Sequence, residues 1–386
     1  MRGQLRMPRT FIMDAPTVSL QLPLEQVTRS SGDAPLHYLE FHPQLAERAV
    51  LGLTDDGNAQ ITDTHALAEP VPVQPAASGV VAPWCLTLLS PRATLAQVRS
   101  VLSFIAAAGA SVEAVDTLSR RRACTVLRFQ VDGQLEFDKT RRACLELAER
   151  IGADLVLQAG DSQRPPSLAG FDMDSTLIDA EVIDELAKIT GIGEQVAAIT
   201  EAAMRGELDF RQSFKKRMRL LKGFPERELA RIAPQLPIKP GAERLLRALR
   251  GLGCKTAILS GGFTYFAHYL QSERLPVDIV HANELEFADG ALTGEVIEPI
   301  VDGARKRALL EEMATEMGLP LSRVIAVGDG ANDIPMLSLG ALGIAIHPKP
   351  KVRQEAPQSI DRFGLDAALY LFGLNDGQIA GLLDSD

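Results

Sequence analysis

The stretch Phe171-Asp172-Met173-Asp174-Ser175-Thr176-Leu177 places two carboxylates two residues apart, directly after the apolar run Leu168-Ala169-Gly170-Phe171. On a strand, positions i and i+2 share a face. At a strand's end, Asp172 and Asp174 can therefore both reach one small site. Paired carboxylates call for positive charge between them, and a hard divalent cation such as Mg2+ suits oxygen donors. A carboxylate held beside such a cation can also attack phosphorus as a covalent nucleophile. A strand running into an Asp/Ser/Thr helix cap gives the same pattern, so the pentapeptide decides nothing alone.

Three further segments follow in order. Ser260-Gly261-Gly262 closes the apolar run Thr256-Ala257-Ile258-Leu259, Arg305-Lys306-Arg307 is basic, and Val327-Gly328-Asp329-Gly330-Ala331-Asn332-Asp333 is a Gly-rich acidic loop. Backbone amides at a helix start suit an anion, and Gly328 and Gly330 allow close backbone approach. The four segments together resemble the motifs of the haloacid-dehalogenase (HAD) phosphatases, over residues 167–350.

That resemblance implies a division of labour. Asp172 is the nucleophile and passes through an aspartyl-phosphate, which splits one slow step into two. Asp174 is general acid and then general base, and it meets the metal through its backbone carbonyl. Asp329 binds Mg2+ directly, with Asp333 in support. Ser260 and the Gly261 amide take phosphoryl oxygens, and Asn332 orients the phosphate or Asp172. Lys306 supplies the cation that keeps Asp172 ionised. Arg305 and Arg307 flank it, and the residues alone leave open which of the three turns inward.

The match narrows further, toward the phosphoserine phosphatase family. It is carried by Thr176–Leu186, by Glu201-Ala202-Ala203-Met204-Arg205-Gly206-Glu207-Leu208-Asp209-Phe210 and by Ser213-Phe214-Lys215-Lys216-Arg217. Phosphoserine carries an ammonium and a carboxylate besides its phosphate. The resemblance implies Glu181 for the ammonium, Arg217 as a bidentate fork for the carboxylate, and Met204 and Phe210 as the apolar wall. Each has a plainer reading, as a first-turn charge, part of a solvated basic run, or core. The implied reaction is hydrolysis of O-phospho-L-serine, the last step of serine biosynthesis. The same machinery would also serve a phosphotransferase, or a phosphatase for another small ester.

At 386 residues the chain is long enough for two or three domains, and 46% apolar content supports real cores. A net charge of −10 argues against a nucleic-acid binder, the local run Lys215-Lys216-Arg217-Met218-Arg219 notwithstanding. The four cysteines, Cys85, Cys124, Cys144 and Cys254, have no zinc spacing and read as buried thiols in a reducing compartment. The start, Met1-Arg2-Gly3-Gln4-Leu5-Arg6, lacks the apolar stretch of a signal peptide, and no run is long enough for a membrane span. A soluble cytoplasmic protein is expected.

The expected fold is α/β: a Rossmann-like parallel sheet over 163–386 with an inserted helical cap at about 178–238, preceded by a ferredoxin-like α+β region. Apolar runs at 168–173, 254–259, 277–281, 323–328 and 342–346 alternate with helical stretches. Roughly 80 residues separate the first two, far beyond an ordinary connection. They read as helices Glu181–Thr190, Gly193–Arg205, Asp209–Leu221 and Glu226–Ala233, a lid that would exclude water. Residues 81–162 read as β-α-β-β-α-β and resemble the small amino-acid-binding ACT modules. Their first turn, Ser90-Pro91-Arg92-Ala93-Thr94, lacks the glycine usual there. An amino-acid effector and an edge-to-edge homodimer follow from that likeness. Within 1–80, Thr17–Leu22 alternates like a strand, Ala66–Gly79 reads as a linker, and 10–70 reads as a degenerate second copy.

Overall fold

The computed structural model describes Leu20–Gln21, Gln74–Pro75 and residues 82–384 apart from Thr94 and Arg122. β1 (Leu20–Gln21) pairs antiparallel with β2 (Gln74–Pro75). Two residues of the segment read as linker are thus strand; Pro75 is tolerated because a proline can end an edge strand without spending a ladder donor. The rest of that linker, and of the possible second copy, lies outside the described residues.

The chain divides into two compact units. One runs to Gln163 and includes Gly373–Gly381; the other is Arg164–Phe372 with the chain from Leu382 onward. In the first, β3 (Trp84–Ser90), α1 (Leu95–Ala107), β4 (Ser111–Arg121), β5 (Cys124–Asp132), α2 (Phe137–Ile151) and β6 (Asp154–Ala159) follow one another. Their sheet has the order β4-β5-β3-β6 and is antiparallel throughout, the ferredoxin-like pattern. Alternation sets the faces: Leu86, Leu88, Leu127, Phe129, Leu155 and Leu157 pack on Val101, Leu102, Cys144 and Leu147 of the two helices. Gly152 ends α2 at φ 67, a conformation that costs glycine least.

In the second unit six strands form one sheet, in the order β14-β13-β12-β7-β8-β9. They are β7 (Leu168–Phe171), β8 (Lys255–Phe263), β9 (Ile279–Asn283), β12 (Val324–Gly328), β13 (Leu342–Ile346) and β14 (Gln358–Ile360), and every pairing is parallel. The central strands are buried along their whole length, as helices on both faces require. Leu168, Ala257, Leu259, Val324 and Ala326 meet Leu309, Leu310 and Met313 on one side. β14 was not foreseen. Between β9 and β12 lies an antiparallel hairpin, also unforeseen, of β10 (Leu285–Ala288) and β11 (Ala291–Val296). It turns through Asp289 and Gly290, both at positive φ, the conformation of a type I′ turn.

The excursion between β7 and β8 is helical: α3 (Val182–Thr190), α4 (Gly193–Met204), α5 (Phe210–Leu220) and the short α6 (Leu229–Ile232). Gly191 at φ 72 closes α3. A capping box opens α5, where Gln212 N donates to Asp209 Oδ1 at 2.8 Å and Asp209 N to Gln212 Oε1 at 3.2 Å. Outgoing and returning chain pair with one another: Ile178 bridges Ile238, Asp179 N donates to Pro237 O and Lys239 N to Leu177 O. The hairpin supports this cap, since Gly223 N donates to Leu292 O and Leu292 N to Phe224 O. Next come α7 (Ala242–Gly251), α8 (Thr264–Glu273) and α9 (Gly303–Glu316). Among the described residues no helix is long and apolar enough to cross a membrane, and the four cysteines are free thiols.

Candidate active site

β7 ends at Phe171, so Asp172 and Asp174 lie just beyond it and not on the strand itself. The ladder nevertheless reaches Asp172, whose N–H donates to Val327 O at 2.9 Å. The chain then folds back on Met173 O, which accepts from Thr176 N, Leu177 N and Ile178 N, and Ser175 takes φ 57. This tight turn holds Asp172 and Asp174 to one place although they do not share a strand face.

Asp172 is buried, and its Oδ1 accepts from Met173 N and from Lys306 Nζ at 2.7 Å. Lys306 is wholly buried and donates equally to Asp333 Oδ1 at 2.7 Å. Of the three basic neighbours it alone turns inward: Arg305 pairs with Glu312, and Arg307 reaches Pro335 O. Asp333 is also wholly buried, and its Oδ2 accepts from Asp329 N at 3.2 Å and Gly330 N at 3.0 Å. Asn332 Nδ2 stands 3.4 Å from Asp333 Oδ1. A methyl group on Gly328 would sit 2.5 Å from Asp333 Cγ, so the loop can close this tightly only with glycine there.

Oxygens of Asp172, Asp329 and Asp333 lie within 4.8 Å of one another. Crowded carboxylates of this kind resist ionisation. Burial, then Asp333, holds the Asp172 carboxyl well above its ordinary range against the pull of Lys306. Burial and Asp333 push Asp329 up to about 7, although Thr176 Oγ1 donates to its Oδ1 at 3.2 Å. Burial and nearby Glu181 push Asp174 up to about 8, so its carboxyl keeps a proton near neutrality. Its Oδ1 accepts from Val182 N at 3.0 Å. Burial works against the charge of Lys306, but Asp172 and Asp333 outweigh it and raise its pKa.

Ser260 is buried at the end of β8, and its Oγ accepts from Gly262 N at 2.8 Å, which leaves the hydroxyl proton to be donated. Gly261 and Gly262 are packed against the site. A methyl on Gly261 would meet the Phe210 ring at 2.7 Å, and one on Gly262 would meet Asp174 Oδ2 at 2.4 Å. The sequence reading missed Asn283. It is buried, its Nδ2 donates to Gly261 O and its Oδ1 accepts from Val301 N, both at 2.8 Å. It thus ties the serine loop to the turn before α9, where Asp302 caps the helix carrying Lys306. A lone Asn after a strand carries no signal that could have found it.

Above these groups the cap encloses a cavity of about 930 Å3. Asp172, Asp174 and Asp329 line it from the sheet side, and Glu181, Phe210 and Arg217 from the cap side. Glu181 is exposed and accepts from Ser175 Oγ at 2.9 Å. Phe210 stacks on Phe214 at 6.0 Å, and Phe214 lies 6.0 Å from Phe263. Arg217 is mostly withdrawn from solvent; burial lowers its pKa although Glu181, Asp184 and Asp174 favour its charge. Its Nε is buried and has no hydrogen-bond partner among the described residues. Met204 ends α4, and its side chain lies outside the described residues. The Phe210 and Phe214 rings beside an unpartnered guanidinium Nε suit a small ligand bearing an anion.

A family model described as haloacid dehalogenase-like hydrolase matches residues 169–338. The phosphoserine phosphatase of Archaeoglobus fulgidus is 43% identical over 241 residues, covering 62% of this chain and 70% of that protein. A HAD family hydrolase structure from Salmonella enterica serovar Typhi superimposes with a TM-score of 0.67 at 29% identity, over 75% of this chain and 98% of that one. A substrate-bound phosphoserine phosphatase structure does so with a TM-score of 0.51 at 37% identity, over 54% and 98%.

Proposed function

The chain belongs to the phosphoserine phosphatases of the haloacid dehalogenase-like hydrolases, and we propose on that footing how its residues hydrolyse O-phospho-L-serine to L-serine and phosphate. The observation that carries the substrate is the buried, unpartnered Nε of Arg217 in the cavity above Asp172. A carboxylate would satisfy it, Glu181 would take the ammonium, and Phe210 would wall the short carbon chain.

The oxygen donors fit a hard divalent ion. Asp172, Asp329 and Asp333 are close enough to share one, and their mutual repulsion is the strain that a cation relieves. Mg2+ would be held by Asp172, Asp329 and the Asp174 backbone carbonyl. Asp333 would stand behind them, because Lys306 and two amides already occupy its oxygens. Bound there, Mg2+ neutralises phosphoryl charge.

Asp172 has one oxygen fixed by Met173 N and Lys306, which leaves Oδ2 to attack phosphorus. As the Oδ2–P bond forms, the bond from phosphorus to the serine oxygen breaks. Asp174, protonated near neutrality, gives its proton to the leaving alkoxide. It then takes a proton from the water that attacks the aspartyl-phosphate, the Oδ2–P bond breaks, and Asp172 is restored. Lys306 spends two of its three N–H groups on Asp172 and Asp333 and keeps the third for a phosphoryl oxygen. The Ser260 hydroxyl, the Gly261 amide and Asn332 hold the others in place. The cap keeps bulk water out.

For the ferredoxin-like unit at 81–162 we propose an amino-acid effector, supported by its sheet order, and edge pairing into a homodimer. A cytoplasmic setting is supported by the four free cysteines. The experiment that tests the enzymatic reading is phosphate release from L-phosphoserine, phosphothreonine, phosphoethanolamine and an aryl phosphate, with and without Mg2+. Mg2+-dependent preference for phosphoserine is expected; turnover of the aryl phosphate alone would keep the chemistry and discard the substrate.

A further inference from the structure

The mouth of the cavity is built by a segment that the mechanism above does not use. His347-Pro348-Lys349-Pro350-Lys351 follows β13, and Lys349, Pro350, Lys351 and Val352 line the same cavity as Asp172 and Asp174. The segment is held in place at several points. His347 takes φ 43, a left-handed conformation rare outside glycine, and its N–H donates to Ile360 O at 2.8 Å. Two prolines fix the backbone on either side of Lys349. Lys349 caps the short helix Pro350–Glu355, Val352 is buried beneath it, and Arg353 pairs with Asp361 at 3.1 Å.

Both ammonium groups are exposed, and neither side chain forms an ion pair or hydrogen bond among the described residues. Lys188, Lys215 and Lys255 of the second unit are paired, with Glu185, Glu298 and Asp278. Lys216 and Lys222 are exposed and unpaired among the described residues as well, but they do not line the cavity. The cavity they face is acidic, with Asp172, Asp174, Glu181, Asp184 and Asp329 in its wall and Arg217 as the other cation there. Lys306 does not offset this at the mouth, since it is wholly buried and committed to Asp172 and Asp333. A phosphate dianion entering the cavity of a chain of net charge −10 passes Glu181 and Asp184, and the cations lining its way are Arg217, Lys349 and Lys351.

We propose that Lys349 and Lys351 form an entrance pair that draws the dianionic phosphate end of the substrate into the cavity. The inference rests on the phosphatase reading. A cleft with low-dielectric walls focuses the field of charges at its rim, which acts on capture and not on bond breaking. Because both groups are exposed, salt screens them.

The test is steady-state kinetics of Lys349→Ala/Lys351→Ala and Lys349→Arg/Lys351→Arg on L-phosphoserine and p-nitrophenyl phosphate, from ~20 to ~500 mM KCl. For the alanine pair, kcat/KM is expected to fall about tenfold at low salt, through KM, with kcat retained. The difference from the unsubstituted enzyme closes as salt rises, and the arginine pair behaves like the parent. The aryl phosphate carries the dianion without ammonium or carboxylate and shows the same loss. If the parent turned over only the aryl phosphate, the phosphoserine reading would fail while this test still ran. Unchanged kcat/KM with the parental salt dependence would overturn the entrance pair, as would a salt-independent loss of kcat or a loss confined to phosphoserine.

Discussion

Lys306 Nζ stands 2.7 Å from Asp172 Oδ1 and 2.7 Å from Asp333 Oδ1, with no part of the lysine side chain open to solvent. One ammonium thus serves both the proposed nucleophile and the carboxylate that shapes the proposed metal loop. Removing one member of such a buried set leaves charge unpaired, at a cost of about 3–5 kcal/mol. Lys306→Met is expected to lower kcat at least about 10³-fold and to lower the unfolding midpoint measurably. Chemical denaturation and phosphate release check both.

Asp172→Asn keeps the shape and the Met173 amide contact but removes the nucleophile. Turnover should vanish while the protein stays folded, because Lys306 keeps Asp333 as its counter-charge and no buried charge is left unpaired. Retained activity in this variant would sink the covalent mechanism.

Arg217→Ala removes the guanidinium whose Nε is buried without a partner. The loss of kcat/KM on phosphoserine should be about 10²-fold or more, against a few-fold on an aryl phosphate. Equal losses on both esters would take Arg217 out of substrate recognition.

Gly262→Ala would put a methyl 2.4 Å from Asp174 Oδ2 and 2.8 Å from Met173 Cε. Asp174 must move, and a displaced proton donor costs about 10²-fold in kcat. Gly191 faces open space but sits at φ 72, so Gly191→Ala should cost stability and leave kcat unchanged.

Mg2+ binding only the folded state should raise stability by about 2.7 kcal/mol at 100 times its Kd. Asp329→Asn should abolish that rise. Thermal unfolding with and without Mg2+ reads it, independently of any turnover.

The alternating pattern of the second unit was legible because parallel strands are buried on both faces and read as continuous apolar runs, as Val324–Val327 and Leu342–Ile346 do. The first three cap helices were legible to within a residue, since Asp209 and Gly191 are local capping signals, whereas the α-helix expected from Glu226 begins at Leu229 after a 3-10 turn. β14 was missed because Gln358-Ser359-Ile360 is short and mostly polar; only its neighbour β13 makes it a strand. The hairpin was missed although Asp289-Gly290 between alternating apolar positions is a strong local signal. Lys306 could not be separated from Arg305 and Arg307 by spacing, because the helix direction of α9 decides which side chain points inward. Asn283 was hidden for a different reason. Its partners, Gly261 O and Val301 N, are backbone atoms, and no side-chain motif records them.

The chain that leaves the core for the cap and the chain that returns from it are joined at Ile178 and Ile238. An excursion that begins and ends at adjoining points can be lengthened, shortened or exchanged without re-registering a single strand of the sheet. The proposed reaction chemistry and the proposed choice of molecule therefore sit on separable parts of the chain. Arg217 and Glu181 travel with the removable part, whereas Asp172, Lys306 and Asp329 stay with the frame.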